Sequence, residues 1–203
     1  MSQQAVDPAV RNKNRKVVSA LVLVFAAPVI LAYIAMHMGW FQQATKNNGT
    51  LLATPYPHFE QFTWYGVDDE PLHFKDFETQ WWWIYFPEQN VCDEACELNI
   101  YWLTQTHASL GKESEKLTRL IVFPDDIIYE DKVQDSEQLR LARGTGQPTI
   151  GDGVQLESGK IYLMDVHGNI FMRYEPVADK QEAMMRSKGL RDDVRRVIKA
   201  TGL

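Results

Sequence analysis

Trp81-Trp82-Trp83-Ile84-Tyr85-Phe86-Pro87-Glu88-Gln89-Asn90-Val91-Cys92-Asp93-Glu94-Ala95-Cys96 decides the fold. The first six residues are all aromatic or β-branched, and no polar residue alternates with them, so they read as a strand buried on both faces. Pro87 cannot donate to a sheet ladder and ends that strand. A short polar loop follows, and the only two cysteines stand where a helix begins. Cys96, Ile100, Leu103, His107 and Leu110 fall on one helical face. Cys92 precedes Cys96 by one turn, so both sulfurs can point the same way. A cysteine pair brought by a central strand to a helix N-terminus suits redox chemistry or a soft-metal site. A structural disulfide is the other reading; closing so short a loop contributes about 2 kcal/mol in the chain-entropy picture.

Working outward, Leu117 to Phe123 predicts the next strand, which Pro124 ends. Upstream, Phe59 to Tyr65 and Leu72 to Phe77 read as strands about a turn at Gly66 to Pro71. Asp135 to Gly144 reads as a short helix, with an acidic first turn, a basic last turn and a glycine stop. Gly144 to Gly159 holds five of the twelve glycines and reads as a long loop. Lys160 to Asp165 and Asn169 to Glu175 form a hairpin about Val166-His167-Gly168. A last helix runs from about Ser187, with Leu190, Val194, Val197 and Ile198 on one face. The order β-β-β-α-β-α-β-β-α predicts an α/β fold.

The N-terminal end is different in kind. Val17 to Met36 carries no charge, and its 20 residues suffice to cross a hydrocarbon core. The run is longer than the apolar core of a signal peptide, and Trp40 and Phe41 resemble interfacial anchors. Arg11, Lys13, Arg15 and Lys16 precede the run, which keeps the N-terminus in the cytoplasm. Four segments are therefore expected: a cytoplasmic tail over 1–16, a transmembrane helix over 17–38, a linker over 39–57 and a soluble domain over 58–203. Net charge is −6, with no basic footprint, so nucleic acid is excluded as a partner. Two cysteines exclude a disulfide scaffold and a zinc ribbon.

This order resembles a thioredoxin-like domain, with its cysteines at the N-terminus of the helix after a central strand. It resembles more closely the Sco family, membrane-anchored thioredoxin-like proteins that help load copper into cytochrome c oxidase. The resemblance rests on the Cys-x-x-x-Cys spacing of Cys92 and Cys96, on the membrane anchor, and on the hairpin Ile161 to Phe171 with Asp165 and Gly168. It implies a redox-active or copper-binding pair at Cys92 and Cys96, and copper as the metal. It implies as partner a cytochrome c oxidase subunit or another periplasmic thiol protein. It places the protein in a bacterial inner membrane, with the soluble domain periplasmic. The chain departs from the family at two points. Asp93 and Glu97 stand where prolines are usual around the cysteines. Gly153 to Gly159, where the family carries its third copper ligand, holds no histidine; Glu157 is the candidate in that loop. His167 lies at the far end of the following strand, about 26 Å away in extended chain.

Two thiolates can hold Cu(I) at low coordination number. Dithiol–disulfide exchange is the other chemistry open to the pair, which would make the chain a thiol–disulfide oxidoreductase. Asp93, Glu94 and Glu97 flank the sulfurs, and no Lys or Arg occurs between Gln80 and Gly111. Nearby negative charge disfavours the thiolate, which argues against a strong dithiol oxidant. The substrate-docking cis-proline of thioredoxins has only Pro148 as a nearby candidate. His107 is expected to be packed in the core, and His167 to sit on the surface of its turn.

Overall fold

The computed structural model describes residues 8–38 (side chains from residue 14), 47–124, 138–144 and 156–201. The chain divides into two units, residues 1–46 and 47–203. Among its described residues the first holds one helix, α1 (Pro8–His37), with Pro28 inside it. Within it Asn14–His37, 24 residues, is long and apolar enough to cross a membrane.

The second unit is a seven-stranded mixed sheet with the order β1-β7-β6-β3-β4-β5-β2. Its strands are β1 (Thr50–Leu51), β2 (Trp64–Gly66), β3 (Trp81–Tyr85), β4 (Leu117–Phe123), β5 (Leu139–Gly144), β6 (Ile161–Met164) and β7 (Ile170–Tyr174). Helix α2 (Glu94–Ala108) connects the parallel neighbours β3 and β4, and α3 (Lys180–Thr201) closes the domain. As the unbroken apolar run predicts, every residue of β3 is buried. Its side chains split by parity. Trp81, Trp83 and Tyr85 join the core beneath α2 and α3, with Leu103, Leu190 and Val194. Trp82, Ile84 and Phe86 join a second core with Phe59, Trp64 and Phe77. A strand covered on both faces has no use for polar residues, which is why the sequence shows none there.

Four expectations change. Thr50 and Leu51, inside the stretch read as linker, add an edge strand antiparallel to β7. Phe59 to Tyr65 and Leu72 to Phe77 are mostly not strand: Phe59–Gln61 and Phe74–Asp76 are single 3-10 turns, Trp64–Gly66 pairs with β5, and of the expected hairpin there is the Tyr65–Pro71 bridge, with the Leu72 N–H donating to the Trp64 carbonyl at 2.8 Å. These segments plug the second core with aromatic rings (Phe59 lies 4.8 Å from Trp64 and 4.6 Å from Phe77, centroid to centroid), so burial without a ladder decides their form. The helix expected over Asp135 to Gly144 is strand β5 from Leu139 on, parallel to β4; residues 135–137 lie outside the described residues. Leu139 and Leu141 point into the core, while the guanidiniums of Arg140 and Arg143 stack on Phe77 and Tyr65. The charge pattern imitated a helix, but a free ladder on β4 outweighs such terminal charge effects. Finally α3 starts at Lys180, two turns before Ser187. Asp179 Oδ1 accepts the Glu182 N–H, and Glu182 Oε2 accepts the Ala178 N–H, so the Asp-x-x-Glu spacing caps the helix there. Pro148 and most of the long glycine loop lie outside the described residues.

Candidate functional site

The site forms where β3 ends and α2 begins. Pro87 ends the strand, and Asp93 starts the helix as its N-cap, its Oδ1 accepting the Cys96 N–H at 2.9 Å. That bond satisfies one of the N–H groups that a helix N-terminus leaves open. Cys92 and Cys96 are joined as a disulfide, with Cα atoms 5.1 Å apart. Their exposures differ: Cys96 is 3% exposed and packed in the α2–α3 core, whereas Cys92 is half-buried at its edge. An incoming group therefore meets Cys92 first.

The first turn of α2 is fixed from two sides. Asn99, buried, donates its Nδ2 to the Ala95 carbonyl at 2.8 Å and to the Val177 carbonyl at 3.3 Å, and its Oδ1 accepts the Val177 N–H at 2.9 Å. The β7–α3 connection is thereby clamped to the cysteine helix. Asn99 was not singled out by sequence, although a polar residue three positions after Cys96, beside the core stripe, was the available signal. On the strand side, Tyr85 shares the core with Cys96. Burial first, then the charges of Asp93 and Glu88, push its phenol well above the usual range, so it stays protonated.

The loop holding Glu157 comes to this same end of the sheet. Gly159 N–H donates to the Phe86 carbonyl at 2.6 Å, and Phe86 N–H donates to the Lys160 carbonyl at 3.1 Å. Gly159 has φ +74°, and a Cβ there would stand 2.7 Å from Glu88 Oε1, so glycine permits the loop to lie against the strand exit. The Glu157 carboxylate itself goes elsewhere: its Oε1 pairs with Arg173 Nη1 on β7 at 2.7 Å, and its N–H donates to the Tyr162 hydroxyl at 2.8 Å. That N–H bond offsets part of the burial that pushes the Tyr162 phenol up to about 12.

The histidines fall as their positions predict. His107 is buried on the α2 stripe, its Nε2 donating to the Leu117 and Ser114 carbonyls at 2.7 and 3.0 Å. His167 is exposed in the β6–β7 turn, and its carbonyl accepts from His58 Nε2 at 2.8 Å. That turn follows Met164, which pairs with Trp82 near the start of β3, so both histidines lie at the opposite end of the sheet from the cysteines. For copper as cargo, the donor set is the two sulfurs. Among the described residues no three or more His, Cys, Asp or Glu gather into a metal-binding group. Two thiolates fit a two-coordinate Cu(I) and do not supply a third ligand.

A mixed sheet with helices over the central strand, and a cysteine pair at the head of the first of them, defines a thioredoxin-like protein. The chain belongs to the family described as "transmembrane-like, thioredoxin-like, C-terminal domain", whose model matches residues 82–201. No curated protein matches it in sequence. Among solved structures it is similar to apo Sco1 of Thermus thermophilus (17% identity over 75% of this chain and 97% of that one, TM-score 0.54). It is also similar to Arabidopsis thaliana ScoI with copper bound (16% identity, 66% and 96%, TM-score 0.48) and to yeast Sco1 (18% identity, 68% and 96%, TM-score 0.48). The likeness to the Thermus protein establishes the shared fold.

Proposed function

We propose that the chain is a membrane-anchored accessory protein of copper-centre assembly in cytochrome c oxidase, acting by thiol–disulfide exchange at Cys92 and Cys96. The observation that carries this reading is the joined pair at the head of α2, with one sulfur half-exposed and the other buried. A joined pair is the product of a two-electron transfer. In the reduced protein the Cys92 thiolate attacks a partner disulfide, forming a mixed disulfide and expelling one partner sulfur as thiolate. Cys96, its proton released to water, then attacks the Cys92 sulfur. The Cys92–Cys96 bond forms, the mixed disulfide breaks, and the partner leaves with both cysteines reduced. Two electrons have passed to the partner, and an external dithiol must supply two more before the next cycle.

The partner is an oxidase subunit whose cysteines must be reduced before they accept copper, or another periplasmic thiol protein. Copper can be carried as Cu(I) on the two reduced sulfurs. Helix α1 is the anchor; the basic residues Arg11 to Lys16 before the apolar run support a cytoplasmic N-terminus and a periplasmic domain at a bacterial inner membrane. The test is anaerobic, on the reduced full chain in detergent. Transfer of reducing equivalents to an oxidised dicysteine peptide of an oxidase copper subunit is followed beside Cu(I) titration against a competing chelator. Exchange is expected, with Cys96→Ser trapping a mixed disulfide and Cys92→Ser trapping none. Stoichiometric Cu(I) binding without exchange would make the chain a copper carrier. Neither activity would leave Cys92–Cys96 as a structural staple.

A further inference from the structure

Asn48-Gly49 is the only Asn-Gly pair in the chain. Glycine has no side chain to hinder its nitrogen, so an asparagine before it closes to a succinimide far more readily than one before a larger residue. Yet the fold requires glycine there. A Cβ at position 49 would stand 2.6 Å from both Met172 Cγ and Tyr174 Cε1, two side chains buried on β7. Position 189 of α3 is glycine for a related reason, since a Cβ there would stand 2.7 Å from Asn48 Cγ. A reactive dipeptide is thus built into the place where the chain before β1 lies against α3.

Asn48 is exposed, so burial does not protect it. Bonding does. Ring closure needs the Gly49 nitrogen, stripped of its proton, to reach Asn48 Cγ. Asp193 Oδ2 holds that N–H at 2.9 Å and the Asn48 N–H at 2.8 Å. The leaving Nδ2 is held as well, by Asp193 Oδ1 at 3.0 Å and by the Gly189 carbonyl at 3.1 Å. Attack has to break the Gly49 bond and both Nδ2 bonds. Asp193 does not swing aside, because it is 1% exposed and also accepts from the Tyr174 hydroxyl on β7 and from Arg196 on α3. A carboxylate is much too weak a base to take a backbone amide proton, so it holds the nitrogen without activating it.

We infer that Asn48 is a modification site, a latent deamidating residue that Asp193 guards while β1 is seated and whose conversion to aspartate unlatches β1 for good. When the segment opens, the Gly49 nitrogen attacks Asn48 Cγ. The new N–Cγ bond replaces the Cγ–Nδ2 bond, and the nitrogen's proton leaves with Nδ2 as ammonia. Water then opens the ring at either carbonyl, giving aspartate or isoaspartate, with no oxidant or reductant involved. The product cannot reseat. A carboxylate oxygen replaces a donor that stood 3.0 Å from Asp193 Oδ1 and 3.1 Å from the Gly189 carbonyl, so like charges and bare acceptors face one another. β1 is the outermost strand beside β7, and its loss leaves β7 as an unpaired sheet edge. This inference goes beyond the reading of the cysteine pair and does not depend on it.

The full chain in detergent is incubated in mildly alkaline buffer, and deamidation of Asn48 is followed by peptide mass spectrometry, with Asn90 and Asn169 as internal references. In the folded parent Asn48 is expected to convert at least about tenfold more slowly than in the same chain unfolded in guanidinium. Asp193→Ala should speed conversion in the folded chain by about tenfold or more. Asn48→Asp, which makes the product directly, should lower the denaturation midpoint and open residues 47–51 to protease. Combining it with Asp193→Asn, which restores a donor opposite the new carboxylate, should recover much of that loss. Conversion in the folded parent as fast as in the unfolded chain overturns the guard, as does an Asp193→Ala rate equal to the parent's. An Asn48→Asp chain as stable as the parent overturns the unlatching, and a combined variant with no recovery overturns charge as its cause. Should Asp193→Ala fail to fold, the folded-against-unfolded comparison and the combined variant still decide.

Discussion

Replacing Asp193 by alanine should destabilise the domain by about 2–4 kcal/mol. The carboxylate is 1% exposed and accepts from five donors. They are the N–H groups of Asn48 (2.8 Å) and Gly49 (2.9 Å), Asn48 Nδ2 (3.0 Å), Arg196 Nη1 (3.1 Å) and the Tyr174 hydroxyl (3.3 Å). Three of these have a second acceptor: Asn48 Nδ2 reaches the Gly189 carbonyl, Arg196 reaches Asn47 Oδ1, and Tyr174 lies 2.9 Å from Met172 Sδ. The two backbone N–H groups are left stranded. At roughly 1–3 kcal/mol for each buried group left without a partner, and toward the lower end because water partly reaches them, the sum is about 2–4 kcal/mol. That is a large share of the roughly 5–15 kcal/mol that holds an ordinary domain together. Asn48→Ala removes only the two Nδ2 bonds and should cost about 1 kcal/mol. The assay is urea unfolding of the full chain in detergent, followed by tryptophan fluorescence, with a double-mutant cycle between the two positions. Because they share one network, a coupling of about 0.5 kcal/mol or more is expected. A loss below about 1 kcal/mol for Asp193→Ala, or strict additivity, would refute the idea that residues 47–51 belong to the folded domain.

Asp93→Ala should cost about 1 kcal/mol through loss of the cap on Cys96, whereas Asp93→Asn should cost only a few tenths, both read from the shift in denaturation midpoint. Equal losses would show that the carboxylate does not cap α2. Burial, foremost, lowers the pKa of His107, with Arg119 adding to the effect. The unfolded chain, near 6.5, therefore binds the proton more readily, and the stability His107 contributes is full above about pH 6.5 and lost as pH falls from there toward its folded value. Unfolding free energies measured from pH 7.5 down to 5 should fall in the parent and fall less in His107→Gln; parallel curves would discount His107 as the cause. Glu157→His should leave Cu(I) affinity of the reduced chain unchanged, because position 157 faces Arg173 on β7. A tighter chelator competition that vanishes with Cys92→Ser would show that the loop does bring a third ligand to the sulfurs.

What the sequence made legible of the fold is what short-range patterning can carry. Trp81 to Tyr85 and Leu117 to Phe123 are buried on both faces, and the unbroken apolar runs Trp81 to Tyr85 and Leu120 to Phe123 have few other uses at that length. Leu139 to Gly144 reads locally as a helix because its leucines and arginines also suit a short charged helix, yet it is strand β5. The deciding fact was the vacant edge of β4, which no local window contains. Phe59 and Phe77 misled in the opposite direction. Aromatic residues favour strands on average, but here each serves as a plug for the second core, and the backbone around it turns in single 3-10 turns. Propensity reports how a side chain suits a pleated surface and cannot report that the surface is already occupied.

The cysteine pair was legible for a different reason, since two cysteines in the whole chain, one turn apart after a buried strand, leave few arrangements open. The groups that govern it were harder to find. Asp93 reads in sequence as a charge beside the pair and is also the cap that holds the Cys96 N–H. A helix N-terminus can stabilise a thiolate by offering its N–H groups and the positive end of its dipole. In this chain a carboxylate already accepts one of those N–H groups, and Glu94 and Glu97 lie in the same first turn. Asn99 and Val177 were invisible as a pair because 78 residues separate them, yet their two bonds fix the position of that turn. The sulfurs are thus held at a helix N-terminus whose first turn is capped by one carboxylate, carries two more, and is tied to the β7–α3 connection.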